Sequence, residues 1–469
     1  MQAVEYSQFL KRWVEKFDPE QAWLRDSGAT PPTASAIQAS CQQLVTASTH
    51  EFDREARLLR NQTQAGLIYR LLNGVDSFED TVRVATQMAE AALEASLSHH
   101  RVILEQAFGV PSNPAFTILG LGKLGGRELN LSSDVDIFCI FAEDGETSGQ
   151  RVRDNGYYFT RLTQQLAKSL DALTVDGFVE RVDQRLRPWG SAGQLAIPVV
   201  ACEDYYEVHG REWERFALLK ARPVAGDLEL GRTLLRSLKP FLYRKYLDFG
   251  VFESIRDLKS KIEAEVRRHG RDKNVKVGRG GIREVEFIVQ AMQLLRGGQI
   301  PSLQVTGFLD ALSSLMTEAI ISQNDGLQLK QDYLWLRYVE HVIQAENDQQ
   351  TQELPTDCGP LAAVMGFESA DGFERKRREV TDRVHEAFVS FMRVEKSQAM
   401  AEASIKDEVQ ECLDSFLEDP VCDRLEPIAR SRLTTLLDQL GPELSAYPID
   451  VSLIEFMRRL SLLCGSRSH

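Results

Sequence analysis

Residues 115–141 read AFTILGLGKLGGRELNLSSDVDIFCIF, and the order of their parts decides the fold. AFTILGLG (115–122) and DVDIFCIF (134–141) are compact apolar runs, rich in β-forming residues and of strand length. Between them, GLGKLGGREL (120–129) is a glycine-rich turn placed after a strand and before a short helix. Glycines let backbone N–H groups approach a phosphate, and the helix N-terminus that follows adds a favourable dipole. Such a turn is more often only a turn. It is not a Walker P-loop, since no Gly-Lys-Ser/Thr follows the right spacer, nor a Rossmann fingerprint, since no ribose-binding acid ends a second parallel strand.

Asp134 and Asp136 open the second run. Residues two apart on a strand point to one face, so both carboxylates project together. Their charges repel unless a cation sits between them, and hard oxygen ligands suit Mg2+ or Mn2+. Two solvated aspartates at a strand end are the plain alternative, and in a chain with 69 acidic residues one Asp-x-Asp arises by chance.

Downstream, the polar loop AEDGETSGQ (142–150) leads to a helix through Tyr158, Phe159, Leu162, Leu166 and Leu170. GFVERVDQRLRP (177–188) alternates like a strand with Arg181, Asp183, Arg185 and Arg187 on one face; PWGSAG is a turn, and QLAIPVV (194–200) reads as the returning partner. An aspartate between arginines in an apolar strand is costly to bury without a partner or a function. A salt-bridged strand face is one reading. The other makes Asp183 a third metal ligand and general base, with Arg185 and Arg187 as forked donors to phosphate oxygens. Three carboxylates aimed at a common point would hold divalent metal for an in-line displacement at phosphorus.

Around this centre the chain reads as helix. NGVDSFEDTV (73–82) offers Asp76 or Ser77 as a cap, and Val82, Ala85, Met88, Ala89, Ala92, Leu93 and Leu97 mark one face of a long amphipathic helix that GVPSNP (109–114) closes. After Val200 the helical signal resumes in YYEVHGREWERFALLKAR, LRSLKPFLYRKY, VFESIRDLKSKIEAEVRRH and REVEFIVQAMQLLR, and strand signals are sparse. The expected fold class is α+β, predominantly helical, with a small mixed sheet embedded between helical regions: a helical region at 1–108, a catalytic core at 109–226 and a helical bundle region at 227–469.

At 469 residues, two to four domains are expected. The content, 43% hydrophobic and 26% charged, is that of a soluble globular protein. The formal charge of −14, with no aromatic-interleaved basic stretch, argues against nucleic acid as a partner. Seven scattered cysteines without Cys-x-x-Cys spacing read as free thiols in a reducing compartment, and the eight histidines show no metal spacing, with His99 and His100 expected at the surface. MQAVEYSQFLKRWVEKF lacks the apolar stretch of a signal peptide and no window suits a membrane span, so a cytoplasmic location is expected. The tail CGSRSH is expected to lack structure, as at a cut within a larger parent.

The order of strand, glycine turn, short helix, Asp-x-Asp strand, helix and single-carboxylate strand resembles the DNA polymerase β-type nucleotidyltransferase superfamily. More closely, GLGKLGGRELNLSSDVDIF, RVDQRLRPWG, YYEVHGREWERFALLKARPVAGD and GRGGIREVEFIVQ resemble the glutamine synthetase adenylyltransferase/adenylyl-removing enzyme family, over nearly the whole length. That family carries two such catalytic halves in one chain, and one copy is found here. ELNLSSDVD, EDYYEVHGREWER and GGIREVEF look like the N-terminal, adenylyl-removing half; the adenylylating half is expected to differ there, for instance with an acid in place of Arg283.

The resemblance implies that inorganic phosphate attacks an AMP group on a tyrosine of glutamine synthetase, releasing ADP and the free tyrosine in control of nitrogen assimilation. It implies Asp134 and Asp136 as metal-holding catalytic residues with Asp183 completing the site. Gly122, Lys123, Gly125 and Ser133 would line the phosphates, and Arg185 and Arg187 would neutralise developing charge. Lys220, Arg222, Glu284 and Glu286 are secondary candidates; a helix end on a solvated face and a capped helix start are their bland readings. Mg2+ or Mn2+ is the implied cofactor. The implied partners are adenylylated glutamine synthetase, the PII signalling protein, phosphate, ADP and the second catalytic half, with no nucleic acid and no membrane. Two alternatives stand: a forward adenylyltransferase using ATP, and a non-catalytic regulatory module that docks signalling proteins.

Overall fold

The two apolar runs form the strands their composition calls for, β1 (Phe116–Gly120) and β2 (Asp134–Phe141). Every residue of β1 is buried, and β2 is buried from Ile137 onward, because helices cover both faces of the sheet. The computed structural model describes residues 2–26, 28–244 and 273–417, with side chains as far as residue 393. The chain divides into two units, Met1–Phe388 and Val389–His469; what is described of the second belongs to the Ala370–Leu417 helix. VFESIRDLKSKIEAEVRRH and CGSRSH lie outside the described residues.

The fold is α+β and predominantly helical, around one mixed sheet. Its remaining strands are β3 (Arg181–Asp183), β4 (Ala196–Pro198) and β5 (Arg222–Gly226). The order is β3-β2-β1-β5, with β4 also on β2. β1 runs antiparallel to β2 and to β5, whereas β3 and β4 run parallel to β2.

One face of β1 and β2 packs Leu119, Leu121, Phe138 and Ile140 against Cys202, Tyr205, Tyr206 and Leu234 of the helices Val199–Val208 and Leu228–Ser237. On the other, Phe159 of the Asn155–Asp171 helix stacks on Phe116 and Phe141, with ring centroids 5.2 and 5.0 Å apart. The long helix Phe78–Phe108 buries Val82, Ala85, Met88, Ala89, Ala92, Leu93 and Leu97 as their spacing requires. Ser77 caps it in a capping box with Asp80, while Asp76 accepts from Arg70 instead.

Four expectations are corrected. The strand read across 177–188 shrinks to three residues, and QLAIPVV does not return against it. β3 lies beside Asp134–Asp136 and β4 beside Cys139–Phe141, so the two are pieces of one β2 partner broken by the loop 184–195. Arg187 props that loop, donating to the carbonyls of Gln184, Ser191 and Gly193 at 2.6, 3.1 and 3.0 Å. Arg222 opens strand β5, which the helical reading passed over, because Pro223 and Gly226 mask its short apolar centre. His99 and His100 are buried beside Phe52, where His99 Nδ1 lies 2.9 Å from the Val45 carbonyl and burial lowers His100 to about 4. Among the described residues, no helix is long and apolar enough to cross a membrane.

Phe159 joins the sheet to its covering helix through two stacked contacts. Phe159→Ala is expected to cost about 3–5 kcal/mol of unfolding free energy, measured by urea denaturation; a loss below about 1 kcal/mol would show that the stack is not the joint.

Candidate active site

Asp134 and Asp136 stand at the head of β2, and its alternation turns both to the face that carries Phe138 and Ile140. Parallel pairing sets Asp183 opposite Asp136 and Arg181 opposite Asp134. Asp183 is the last residue of β3, at the break where the sheet opens into the 184–195 loop. Gly122 follows β1 with φ +51°, and a Cβ there would stand 2.5 Å from Asp136 Oδ2, so glycine is what lets the carboxylate lie against the turn. Leu121 N–H donates to the Asp136 carbonyl at 2.8 Å and fastens the turn to β2.

Burial first, then the Asp183 carboxylate, raises the Asp136 carboxyl to about 6. At the ~4.8 Å spacing of neighbouring strands and an effective dielectric of about 20, two carboxylates repel by roughly 3 kcal/mol. That exceeds the ~0–1 kcal/mol of an ordinary exposed ion pair, so the pair calls for a countercharge. Two arginines supply part of it. Arg181 Nε donates to Asp134 Oδ1 at 2.9 Å, and its Nη2 to Ser132 Oγ at 3.0 Å. Arg185 Nε donates to both Asp183 oxygens, 3.1 and 2.9 Å away. Burial of Asp183 is outweighed by these Arg185 bonds, which hold it below the usual carboxylate range.

The three carboxylates therefore share one strip of sheet without meeting at one point. Among the described residues, no group of three or more acidic, histidine or cysteine side chains is gathered as a ready-made metal site. The cause is local: the nearest cations, Arg181 and Arg185, draw Asp134 and Asp183 aside. In kind and in register the donor set still fits a hard divalent cation, since Asp136 and Asp183 stand in register and their carboxylates repel. A cleft of ≈ 430 Å3 opens here, lined by Asp134, Asp183, Arg185, Arg187 and Gln350 among others.

The other expected residues fall into two groups. Arg185 is exposed at the cleft and Ser133 is half-buried beside Asp134. The rest are committed elsewhere. Lys123 is buried against Glu340, with Nζ 3.1 and 3.2 Å from its oxygens. Gly125 packs on the Lys220 carbonyl, where a Cβ would come within 1.9 Å. Arg187 is spent on its loop. Lys220 is buried between Glu128 and Glu286, and Arg222 pairs with Glu90 while holding the carbonyls of Leu124 and Gly125 at 3.0 and 3.1 Å. Glu284 takes His385 at 3.1 Å.

Sequence reading missed the residues that hold this centre from the Gln323–Asn347 helix: Tyr333, Arg337, Glu340, His341 and Gln344. Their three- and four-residue spacing is the signal that could have found them, since it gathers the five polar side chains on one face of the helix. Lys276 was also missed. Its charge reaches Asp136, Lys123, Glu286 and Glu340, and among the described residues its ammonium has no hydrogen bond or ion pair.

A sheet with an acid pair at the head of one strand and a third acid in register beside it is the frame of a nucleotidyltransferase. The chain belongs to the glutamate-ammonia ligase adenylyltransferase family, whose model matches residues 1–237, just over half of it. The model described as GlnD PII-uridylyltransferase matches residues 256–392. Among curated proteins, the chain is similar to the bifunctional glutamine synthetase adenylyltransferase/adenylyl-removing enzyme of Hahella chejuensis, 46% identical over 323 residues that make up 67% of this chain and 34% of that one. It is similar to the enzyme of the same name from Thioalkalivibrio sulfidiphilus, 41% identical over 398 residues, 83% of this chain and 41% of that one. The one from Pseudomonas putida is 46% identical over 336 residues, 70% and 34% of the two chains. The matched stretches thus span 34% to 41% of the length of these relatives.

The folded protein holds the Asp136 proton up to about pH 6, whereas the ordinary value is 3.8. Its contribution is therefore complete below about pH 4 and is lost as pH rises through 6. Asp136→Asn removes that loss. In chelator-treated protein the variant is expected to be more stable than the parent at pH 7.5 by on the order of 1–3 kcal/mol, with the difference gone near pH 4. Urea unfolding at the two pH values measures it, and a less stable variant at pH 7.5 would contradict the electrostatic reading.

Proposed function

We propose that the chain removes AMP from an adenylylated tyrosine of glutamine synthetase by phosphorolysis, with Asp134, Asp136 and Asp183 holding Mg2+ or Mn2+. The single observation behind the proposal is the register that sets Asp183 beside Asp136, next to the glycine turn. The adenylyl-removing direction is supported by ELNLSSDVD, EDYYEVHGREWER and GGIREVEF, which resemble that half of the family, and by the relatives' printed names, which pair both activities in chains longer than this one.

In this reading an oxygen of inorganic phosphate forms a bond to the AMP phosphorus as the bond to the tyrosine oxygen breaks. ADP leaves, and the phenolate takes a proton from solvent. A divalent ion, when bound, supplies charge neutralisation at the departing oxygen and at the phosphoryl group. Asp136 and Asp183 would be its principal holders, with Asp134 of the same strand face beside them. Arg185, on an exposed stem at the cleft, turns from Asp183 to an oxygen of the incoming phosphate. Lys276 brings a second cation to the same phosphates. Lys123 and Arg187 act from behind, holding the glycine turn and the 184–195 loop. PII and a second catalytic half are proposed partners.

Incubation of the chain with adenylylated glutamine synthetase, phosphate and Mg2+ is expected to release ADP, and Asp136→Asn or Asp183→Asn to reduce the rate on the order of 10^3-fold. ADP release that persists unchanged in both variants would remove the aspartates from the chemistry. Pyrophosphate release from ATP on unmodified glutamine synthetase, without ADP formation, would assign the forward reaction instead.

A further inference from the structure

The five residues Glu128–Ser132 join the glycine turn to β2 without regular structure, and each of them is held. The Glu128 carbonyl accepts from Arg337 Nη2 at 2.7 Å, and its carboxylate accepts from Lys220 and from the Tyr333 hydroxyl, the latter at 3.2 Å. Leu129 N–H donates to Thr86 Oγ1 at 3.3 Å. Asn130 Oδ1 accepts from Arg337 Nη2 at 2.5 Å and lies 3.1 Å from His341 Nε2. The Leu131 carbonyl accepts from Gln64 Nε2 at 2.8 Å, and Ser132 N–H donates to Gln344 Oε1 at 3.1 Å. Four of these partners, Tyr333, Arg337, His341 and Gln344, form a single stripe of the Gln323–Asn347 helix, and none is more than 1% exposed. Glu340, on the same stripe, pairs with Arg337 at 3.3 Å and with Lys123 of the glycine turn.

Burial alone would raise the Glu340 carboxyl, but Lys123 and Arg337 outweigh it and hold it at about 2, so Glu340 stays ionised. Apolar residues would seat a helix against a sheet without the desolvation cost of buried charges. What the polar groups add is direction. Each bond is restricted in distance and angle, so the stripe specifies where the segment before Asp134 must lie. The helix falls within residues 256–392, outside the stretch 1–237 that carries all three aspartates.

We propose that the buried polar stripe of the Gln323–Asn347 helix is the template that positions Asp134 and Asp136, with Arg337 and Gln344 as positioning residues. The two family-matched stretches then build one centre: the first supplies the carboxylates and the second sets where they stand. The proposal rests on the metal-holding role given to those carboxylates above.

Gln344→Leu removes the acceptor of Ser132 N–H and keeps the side chain's bulk. Asp332→Asn serves as the structural control: Asp332 is a buried polar residue of the same helix that accepts from Arg383 and Gln328 and, among the described residues, has no hydrogen bond to the segment. Two readouts on the full chain separate the roles: deuterium exchange of the peptide covering Leu129–Asp136, and Mn2+ affinity by paramagnetic resonance titration. Gln344→Leu is expected to speed exchange in that peptide at least 10-fold and to weaken Mn2+ at least 10-fold, whatever its melting temperature. Asp332→Asn is expected to lower the melting temperature and leave both readouts at the parental level. Arg337→Lys, which keeps the charge and loses the fork, is expected to side with Gln344→Leu. Parental exchange and affinity in Gln344→Leu, or equal effects in Asp332→Asn, would overturn the proposal. If the parent takes up no Mn2+ while the exchange contrast persists, the positioning role stands and the metal reading falls.

Discussion

The structure depends on three residues of parallel pairing, where Arg181–Asp183 lies along Asp134–Asp136. That register places two carboxylates side by side on a half-buried sheet face, an arrangement that raises one of them to about 6. Folding forces the pair together, since β2 is anchored by its buried apolar end and β3 by the strand it flanks. The remaining features answer this constraint. Gly122 leaves room for the carboxylate, Arg181 and Arg185 shield its neighbours, and the 184–195 loop opens the cleft in front of them.

The parts closest in sequence were the most legible. β1, β2, the capped helix from Phe78 and the Asn155–Asp171 helix follow from local patterns, since strand alternation and helical spacing are properties of neighbouring residues. The acid pair and the third acid were legible for the same reason. Arg187 was misplaced because alternation over 181–187 looks identical whether the strand continues or breaks after Asp183. Only the register of β4 on β2 shows that it breaks. Lys123 is expected from sequence to line the phosphates, with Lys220 a secondary candidate. Their true partners, Glu340 at 217 positions' distance and Glu128 at 92, are pairings that no local pattern reveals.

The long-range polar network also bears on how the family match is read. Residues 1–237 hold the three aspartates, yet Glu128, Asn130 and Ser132 are fastened to a helix beyond residue 322. All of these residues lie in the same compact unit. Buried groups of this kind are costly to leave unpaired, so the two stretches are interdependent in folding as well as in the geometry of the site. The similar proteins are longer chains whose names carry two activities, and the pieces of this chain that match them include one such centre.

Anomalous diffraction from crystals grown with Mn2+ and a nucleotide tests the central claim most directly. The account predicts a peak within about 2.2 Å of oxygens from both Asp136 and Asp183, with the Arg185 guanidinium displaced from Asp183. Crystals that keep Arg185 on Asp183 and Arg181 on Asp134, with no peak between the strands at saturating Mn2+, would contradict it.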